Sequence, residues 1–260
     1  MDKKYALITG ASSGLGADFA RQIAAKGWNL ILVARREQRL EQVKQEILTN
    51  YNVDILVIPA DLTNPNAPQE IYQSLQNRRI EVDILINNAG AGLYGPFHKT
   101  DLQRQLTLLQ LNMTSVVQLT YLFLNDMLKR QTGYLLFVAS IGAFQPTPLY
   151  ATYAATKSFI LPFGLALNRE LHSTGVSSTV LSPGVTKSEF LAVAGQKPNL
   201  FQRLTMMESS RVVRSGLRAM FKRRGSVVPG TVNKLTVFFT YLLPRRVTTA
   251  MAHWAMLESK

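Results

Sequence analysis

The sequence predicts an α/β fold, a doubly wound parallel sheet with helices on both faces. Short apolar runs recur along the chain: "YALITG", "NLILVAR", "VDILVIPAD", "VDILINNAG", "GYLLFVAS" and "SSTVLSPG". Longer stretches with helical periodicity separate them. The runs are apolar throughout rather than alternating, as parallel strands buried on both faces are. Strand–helix alternation with right-handed crossovers then winds the chain to both sides of one sheet.

Taken in order, "LGADFARQIAAKG" follows the first strand as a helix, with Gly27 as its C-terminal stop. "REQRLEQVKQEILTN" is an amphipathic helix after the second strand, and "APQEIYQSLQNR" a helix after a Pro-rich turn. Asp101 to Lys129 reads as one long helical region, and the helix carrying Tyr153 precedes the sixth strand. Residues 185–205 break the rhythm with Gly195 and Pro198. Ligands sit at the carboxyl ends of parallel strands, so this segment reads as a substrate lid. Residues 229–260 form a basic C-terminal extension. No repeat, low-complexity tract or linker divides residues 1–260, and a single domain is expected.

The chain has 260 residues, 47% of them hydrophobic, enough for one large core. It has no cysteine, which excludes disulfides, thiolate nucleophiles and thiolate metal sites. His98, His172 and His253 lack acidic or cysteine companions at ligand spacing, so no metal site is expected. "MDKKYALITG" enters a strand-like run at once, which argues against a secretory signal and suits a cytoplasmic protein. The net charge is +13, and residues 203–260 carry 11 Lys/Arg against 2 Asp/Glu. That asymmetry points to an anionic partner or to a solvated basic face.

"TGASSGLG" links the first strand to the first helix. Gly10 turns the chain, Gly14 admits a phosphate, and Gly16 lets the helix pack closely. Ser12, Ser13 and Leu15 complete a loop whose N–H groups face an anion at the helix N-terminus. Where such folds hold an unphosphorylated ribose, the second strand ends in an acidic residue. Here it ends in Arg35 and Arg36, which suit the 2′-phosphate of NADPH/NADP+. Asp61 and Leu62 end the third strand, within reach of the adenine. Asn88, Ala89 and Gly90 end the fourth with small groups against the cofactor, although both stretches also read as turn chemistry.

Tyr153 and Lys157 stand one helical turn apart and share a face. The spacing alone says little. Ser140, however, ends the preceding strand, so all three arrive at the carboxyl edge of the sheet. A phenol has a reference pKa near 10, and a neighbouring ammonium favours its ionised form. Tyr153 is therefore the expected general acid/base for a carbonyl that Ser140 holds.

Together these motifs make the chain similar to the short-chain dehydrogenase/reductase family, from Tyr5 to about Val228. The matches are "TGASSGLG", "DL" at Asp61–Leu62, "NNAG", Asn112, Ser140, "YAATK" and "PG" at Pro183–Gly184. The resemblance implies a Rossmann-type domain and a catalytic tetrad of Asn112, Ser140, Tyr153 and Lys157. It gives Lys157 the nicotinamide ribose and Asn112 a water in a proton relay. It sets Pro183, Gly184, Val185 and Ser188 near the nicotinamide, with Ser188 standing where the family pattern has Thr. It also implies a homodimer or homotetramer, for which the nearly uncharged helix around Asn112 supplies a packing face.

The expected function is NADPH-dependent reduction of an apolar carbonyl, reversible as alcohol oxidation. The alternatives are an idle NADP-binding sensor and a membrane- or carrier-docked lipid 3-oxoacyl reductase. Arg211, Arg214, Arg218 and Lys222 share one helix face. They and the cations of the extension suit an anionic membrane, an acidic carrier or plain solvent. No motif for nucleic acid accompanies them. The branch that the tail resembles includes long-chain 3-oxoacyl and hydroxysteroid reductases.

Overall fold

The computed structural model describes residues 4–257, the side chain of Phe201 aside. The chain runs β1 (Tyr5–Thr9), α1 (Gly14–Ala24), β2 (Asn29–Ala34), α2 (Glu37–Asn50), β3 (Ile55–Pro59), α3 (Ala67–Asn77) and β4 (Val82–Asn87). Then come α4 (Leu102–Leu109), a π turn at Gln110–Thr114, α5 (Ser115–Arg130), β5 (Gly133–Val138), α6 (Ala151–Glu170) and β6 (Val176–Leu181). Short helices α7 (Phe190–Ala194) and α8 (Leu200–Thr205) precede α9 (Ser209–Phe221) and β7 (Ser226–Val227). The chain closes with α10 (Thr231–Leu242) and α11 (Arg245–Met256).

All seven strands form one parallel sheet in the order β3-β2-β1-β4-β5-β6-β7. The order reverses between β1 and β4, and their carboxyl ends part there to open a crevice. The apolar runs of β1, β2, β4, β5 and β6 are buried on both faces as expected, and Leu7, Leu32, Leu85 and Phe137 have no exposed surface, whereas β3 at the sheet edge is only half-buried. One apolar layer lies under α1, α2 and α9, the other under α3, α5 and α6. α9 packs its Val212, Val213, Leu217 and Met220 inward and leaves Arg211, Arg214, Arg218 and Lys222 in solvent. This cationic stripe is thus the outer face of a helix that caps the sheet.

Two elements differ from the sequence pattern. β7, only two residues long, is too short to leave a periodic signal. The long helix is interrupted at Gln110–Thr114, where one turn widens to i→i+5 bonding. Residues 185–205 fold as the two short helices α7 and α8, tied back by a bridge between Thr186 and Met207. Among the described residues, no helix is long and apolar enough to cross a membrane.

Candidate active site

A cavity of about 440 Å³ opens over the crevice between β1 and β4. At one end it is lined by the loop after β1. Gly10 takes φ +67° and Gly14 φ +54°, left-handed conformations that glycine adopts without strain. Gly10 also has backbone against it: a Cβ there would lie 2.9 Å from the Ala89 Cα. Asn88 fastens the two loops, donating from Nδ2 to the Thr9 carbonyl at 2.8 Å. The backbone N–H groups of Asn88 and Ala89 both donate to the Thr9 hydroxyl.

Arg35 and Arg36 stand at the carboxyl end of β2, on the rim of this cavity. Arg35 lies 3.8 Å from the Asp61 carboxylate, both groups being exposed. Arg36 turns back to the glycine loop, donating to Ser13 Oγ at 3.0 Å and to Ser12 Oγ at 3.3 Å. It also meets Glu189, which precedes α7, at 2.8 Å. The arginines are thus balanced by Asp61 and Glu189.

At the other end of the cavity lie Ser140, Tyr153 and Lys157. Ser140 follows β5, and its hydroxyl accepts from the Gly142 N–H at 3.1 Å. Leu149 takes φ +67°, unusual for a bulky residue and costing about 1–3 kcal/mol. This left-handed residue lies just before α6, which carries Tyr153 and Lys157. The Lys157 ammonium is buried, donates to the Val138 carbonyl at 2.8 Å, and lies 5.9 Å from the centre of the Tyr153 ring.

The electrostatics correct one expectation. Burial pushes the Tyr153 phenol up to about 12, and only its hydrogen bond with Ser140 pulls it down. Burial likewise pushes Lys157 down to about 8. Desolvation therefore outweighs any acidifying effect of Lys157 on Tyr153 in the protein by itself. The pair is poised as a neutral phenol beside a weakened ammonium.

Two predicted residues stand behind the cavity rather than in its wall. Gly16 packs under the loop: a Cβ there would sit 2.0 Å from the Gly10 carbonyl oxygen, so only glycine fits. Asn112, 1% exposed, is turned inward by the π turn. Its Nδ2 donates to the Ala91 carbonyl and to Thr156 Oγ1, each at 3.0 Å, and its Oδ1 accepts from the Ala91 N–H at 3.1 Å. Its side chain thus clamps the loop after β4 to α6. The other predicted residues, Gly10, Ser12 to Leu15, Arg35, Arg36, Asp61, Leu62, Asn88 to Gly90, Pro183 to Val185 and Ser188, share the one cavity with Ser140, Tyr153 and Lys157.

This set of residues at one sheet edge has a family match. The family model for short chain dehydrogenases covers residues 4–199. The chain belongs to the short-chain dehydrogenase family. It is 33% identical over 221 residues to a very-long-chain 3-oxoacyl-CoA reductase of Phaeosphaeria nodorum, covering 82% of this chain and 64% of that protein. It is also 33% identical over 183 residues to 17-beta-hydroxysteroid dehydrogenase type 3 of Mus musculus, covering 69% and 59% of the two. The chain thus spans less than two thirds of these relatives' length. Among solved structures, a short-chain dehydrogenase of Sphingobium yanoikuyae in complex with NADPH superposes with a TM-score of 0.82 at 28% identity, covering 93% of each chain. A Burkholderia phymatum member in complex with NAD shares the fold, with a TM-score of 0.81 at 21% identity, covering 91% of this chain and 92% of its own.

Sequence reasoning missed Gln196, Gln202 and Met256 in the wall. Tyr150 Oη donates to Gln196 Oε1 at 2.9 Å, and Gln196 Nε2 donates to the Met256 carbonyl at 2.9 Å. Gln202 and Met256 also line the cavity, so α8 and the end of α11 close its far wall. Only tertiary structure joins these segments. Among the described residues, no group of three or more His, Asp or Glu is placed to hold a metal ion.

Proposed function

We propose that the protein is an NADPH-dependent oxidoreductase that reduces an apolar carbonyl to an alcohol, and runs in reverse. One observation carries the reading: Ser140, Tyr153 and Lys157 meet in the same cavity as a glycine cradle and two arginines. The cradle fits a dinucleotide, because Gly10 leaves no room for a Cβ against Ala89 and the N-terminus of α1 faces the loop. Gly10 and Ser12 to Leu15 would hold the pyrophosphate, Arg35 and Arg36 the 2′-phosphate, and Asp61 and Leu62 the adenine. Asn88 to Gly90 would face the ribose, and Pro183 to Val185 with Ser188 the nicotinamide. Family members of this fold bind either dinucleotide, and the two arginines favour the phosphorylated one.

When bound, the dinucleotide supplies a hydride to the carbonyl carbon. The Ser140 hydroxyl holds the carbonyl oxygen, and the Tyr153 phenol gives that oxygen its proton. A phenol held near 12 keeps its proton at neutral pH, which suits the reductive direction. Lys157 binds the ribose hydroxyls and stabilises the phenolate left behind. Asn112 fixes the loop after β4 against α6, which sets the spacing of the site. The wall contributed by Tyr150 and Phe190, whose rings lie 5.5 and 5.3 Å from that of Tyr153, favours an apolar substrate. A long-chain 3-oxoacyl compound or a steroid, as in the relatives' names, is of that kind. Leu102, Leu106 and Tyr121 leave an apolar face along α4 and α5, which fits a homodimer or homotetramer.

The test is direct. The protein is incubated with NADPH and a panel of apolar ketones and 3-oxoacyl thioesters, while nicotinamide absorbance and alcohol formation are followed. Stoichiometric consumption is expected. Tight NADPH binding with no turnover across the panel would instead assign the cavity to a cofactor sensor.

A further inference from the structure

The last two helices are inside out. Surface helices turn large apolar residues to the core and polar ones to water. In α10 the residues buried against the protein are Asn233 and Val237, and in α11 they are Thr248 and Ala252. The outward residues are the large ones. Val232, Leu235, Phe239 and Leu242 follow helical spacing along α10 and are 47–62% exposed. Val247, Met251 and Trp254 do the same along α11 and are 44–66% exposed. The pattern continues on the neighbouring lid. Asn199, at the start of α8, donates to the Ala255 and Leu257 carbonyls at 3.0 and 2.8 Å, and α8 exposes Leu200 and Leu204 by 69% and 77%. The largest apolar patch of an ordinary monomer covers about 300–600 Å². Here nine large side chains on three helices are each at least 44% exposed.

The charges beside this face have one sign. Lys234, Arg245 and Arg246 are all exposed, and residues 229–257 contain no Asp or Glu. On α8, Arg203 is exposed as well. Aromatic and aliphatic side chains ringed by cations match the boundary of an anionic lipid bilayer, where rings enter the acyl edge and cations meet headgroups. A second copy of this chain would bring the same cations face to face and is disfavoured by charge. We infer that α10, α11 and α8 form a surface that docks on an anionic bilayer, with the helices lying in its plane. The surface carries no span, so the attachment is peripheral and reversible. Met256 and Gln202 belong both to these elements and to the cavity wall, so docking brings the wall of the proposed site to the lipid. The docking itself does not depend on the reductase reading.

Flotation of the full chain with phosphatidylglycerol/phosphatidylcholine vesicles tests this, with pure phosphatidylcholine for comparison. Protein is expected to float with the anionic vesicles and to be released by high salt. Trp254 supplies a second readout. In a Trp28→Phe background it is the only tryptophan of the two in the chain, and its emission should shift to the blue and be quenched by brominated lipid. A Phe239→Ser/Trp254→Ser variant should lose binding at least tenfold. Lys234→Glu/Arg245→Glu/Arg246→Glu should lose the preference for anionic lipid, at about fivefold per cation. Both exchanges alter exposed side chains, and unchanged circular dichroism and NADPH affinity would confirm folded protein. Failure to float with anionic vesicles overturns the inference. So does a protein that binds only an acidic carrier protein, or a Trp254 shift that depends on protein concentration without lipid. Loss of turnover with intact flotation would instead strike the reductase reading alone.

Discussion

The Glu189 carboxylate lies 2.8 Å from the Arg36 guanidinium, across 153 residues of chain. The hydrogen bond from Arg36 holds Glu189 below the usual carboxylate range. An anion from the lid therefore occupies the charge that a 2′-phosphate would use. Glu189→Ala should tighten NADPH about two- to fivefold, the range of an exposed ion pair worth up to about 1 kcal/mol, and leave NADH nearly unchanged. Fluorescence titration with both dinucleotides checks it. Equal effects on the two would show that Glu189 does not compete for the phosphate.

Among the described residues Arg35 pairs only with Asp61, at 3.8 Å and in solvent, which leaves it able to turn to a phosphate. Arg35→Ala should weaken NADPH by roughly tenfold or more, since a hydrogen bond to a charged group contributes about 1.5–3 kcal/mol. NADH affinity should change little. A parallel loss for both would reject the 2′-phosphate assignment.

Tyr153→Phe removes one hydroxyl from the cavity and should leave NADPH binding intact. Ketone reduction should fall about 10²–10⁴-fold, the usual contribution of a general acid. A variant that keeps its turnover would take the proton-transfer role away from Tyr153.

Lys157 gives a pH dependence with a definite sign. Its ammonium titrates near 8 in the folded protein and at 10.5 when unconstrained. Between those values the unfolded chain holds a proton that the folded chain has released, so this group makes stability rise with pH. Below about 8 both states are charged, and burial of the ammonium costs the fold its full penalty. Lys157→Met should flatten the rise when thermal melts at pH 7.5 and 9.5 are compared with those of the parent. An unchanged slope would mean that the buried ammonium is not destabilised.

Gly16→Ala should destabilise the chain by about 1–3 kcal/mol, because the added methyl meets a backbone carbonyl that cannot swing away. Denaturant unfolding measures it. NADPH affinity should fall with it, since the carbonyl belongs to Gly10 in the cofactor loop.

Much of this molecule is legible along the chain because its signals are local. Strands buried on both faces leave uninterrupted apolar runs. The glycine loop is legible from its place between a strand and a helix, and Tyr153 with Lys157 from their shared helix face just after the strand that Ser140 ends. The unread parts are non-local or depend on which side faces in. Nothing near Arg36 announces Glu189, and nothing near Tyr150 announces Gln196 or Met256. The apolar residues of α10 are plain in sequence, but an amphipathic pattern does not say which face meets the protein, and here the usual answer is reversed. The balance between burial and charge at Tyr153 also needs the surrounding volume, which spacing does not supply.

The widened turn at Gln110–Thr114 has a consequence for how this chain tolerates change. A regular helix advances about 100° per residue, so one residue added or removed rotates everything beyond it by that amount. The π turn stores such an added residue and offsets the stripe of α4 from that of α5. Asn112 is thereby swung toward Ala91 and Thr156 while α5 keeps its seat on the sheet. Deleting a single residue there would restore an ordinary spiral at the expense of alignment: either the amide would leave its three partners or α5 would turn its oily side to water.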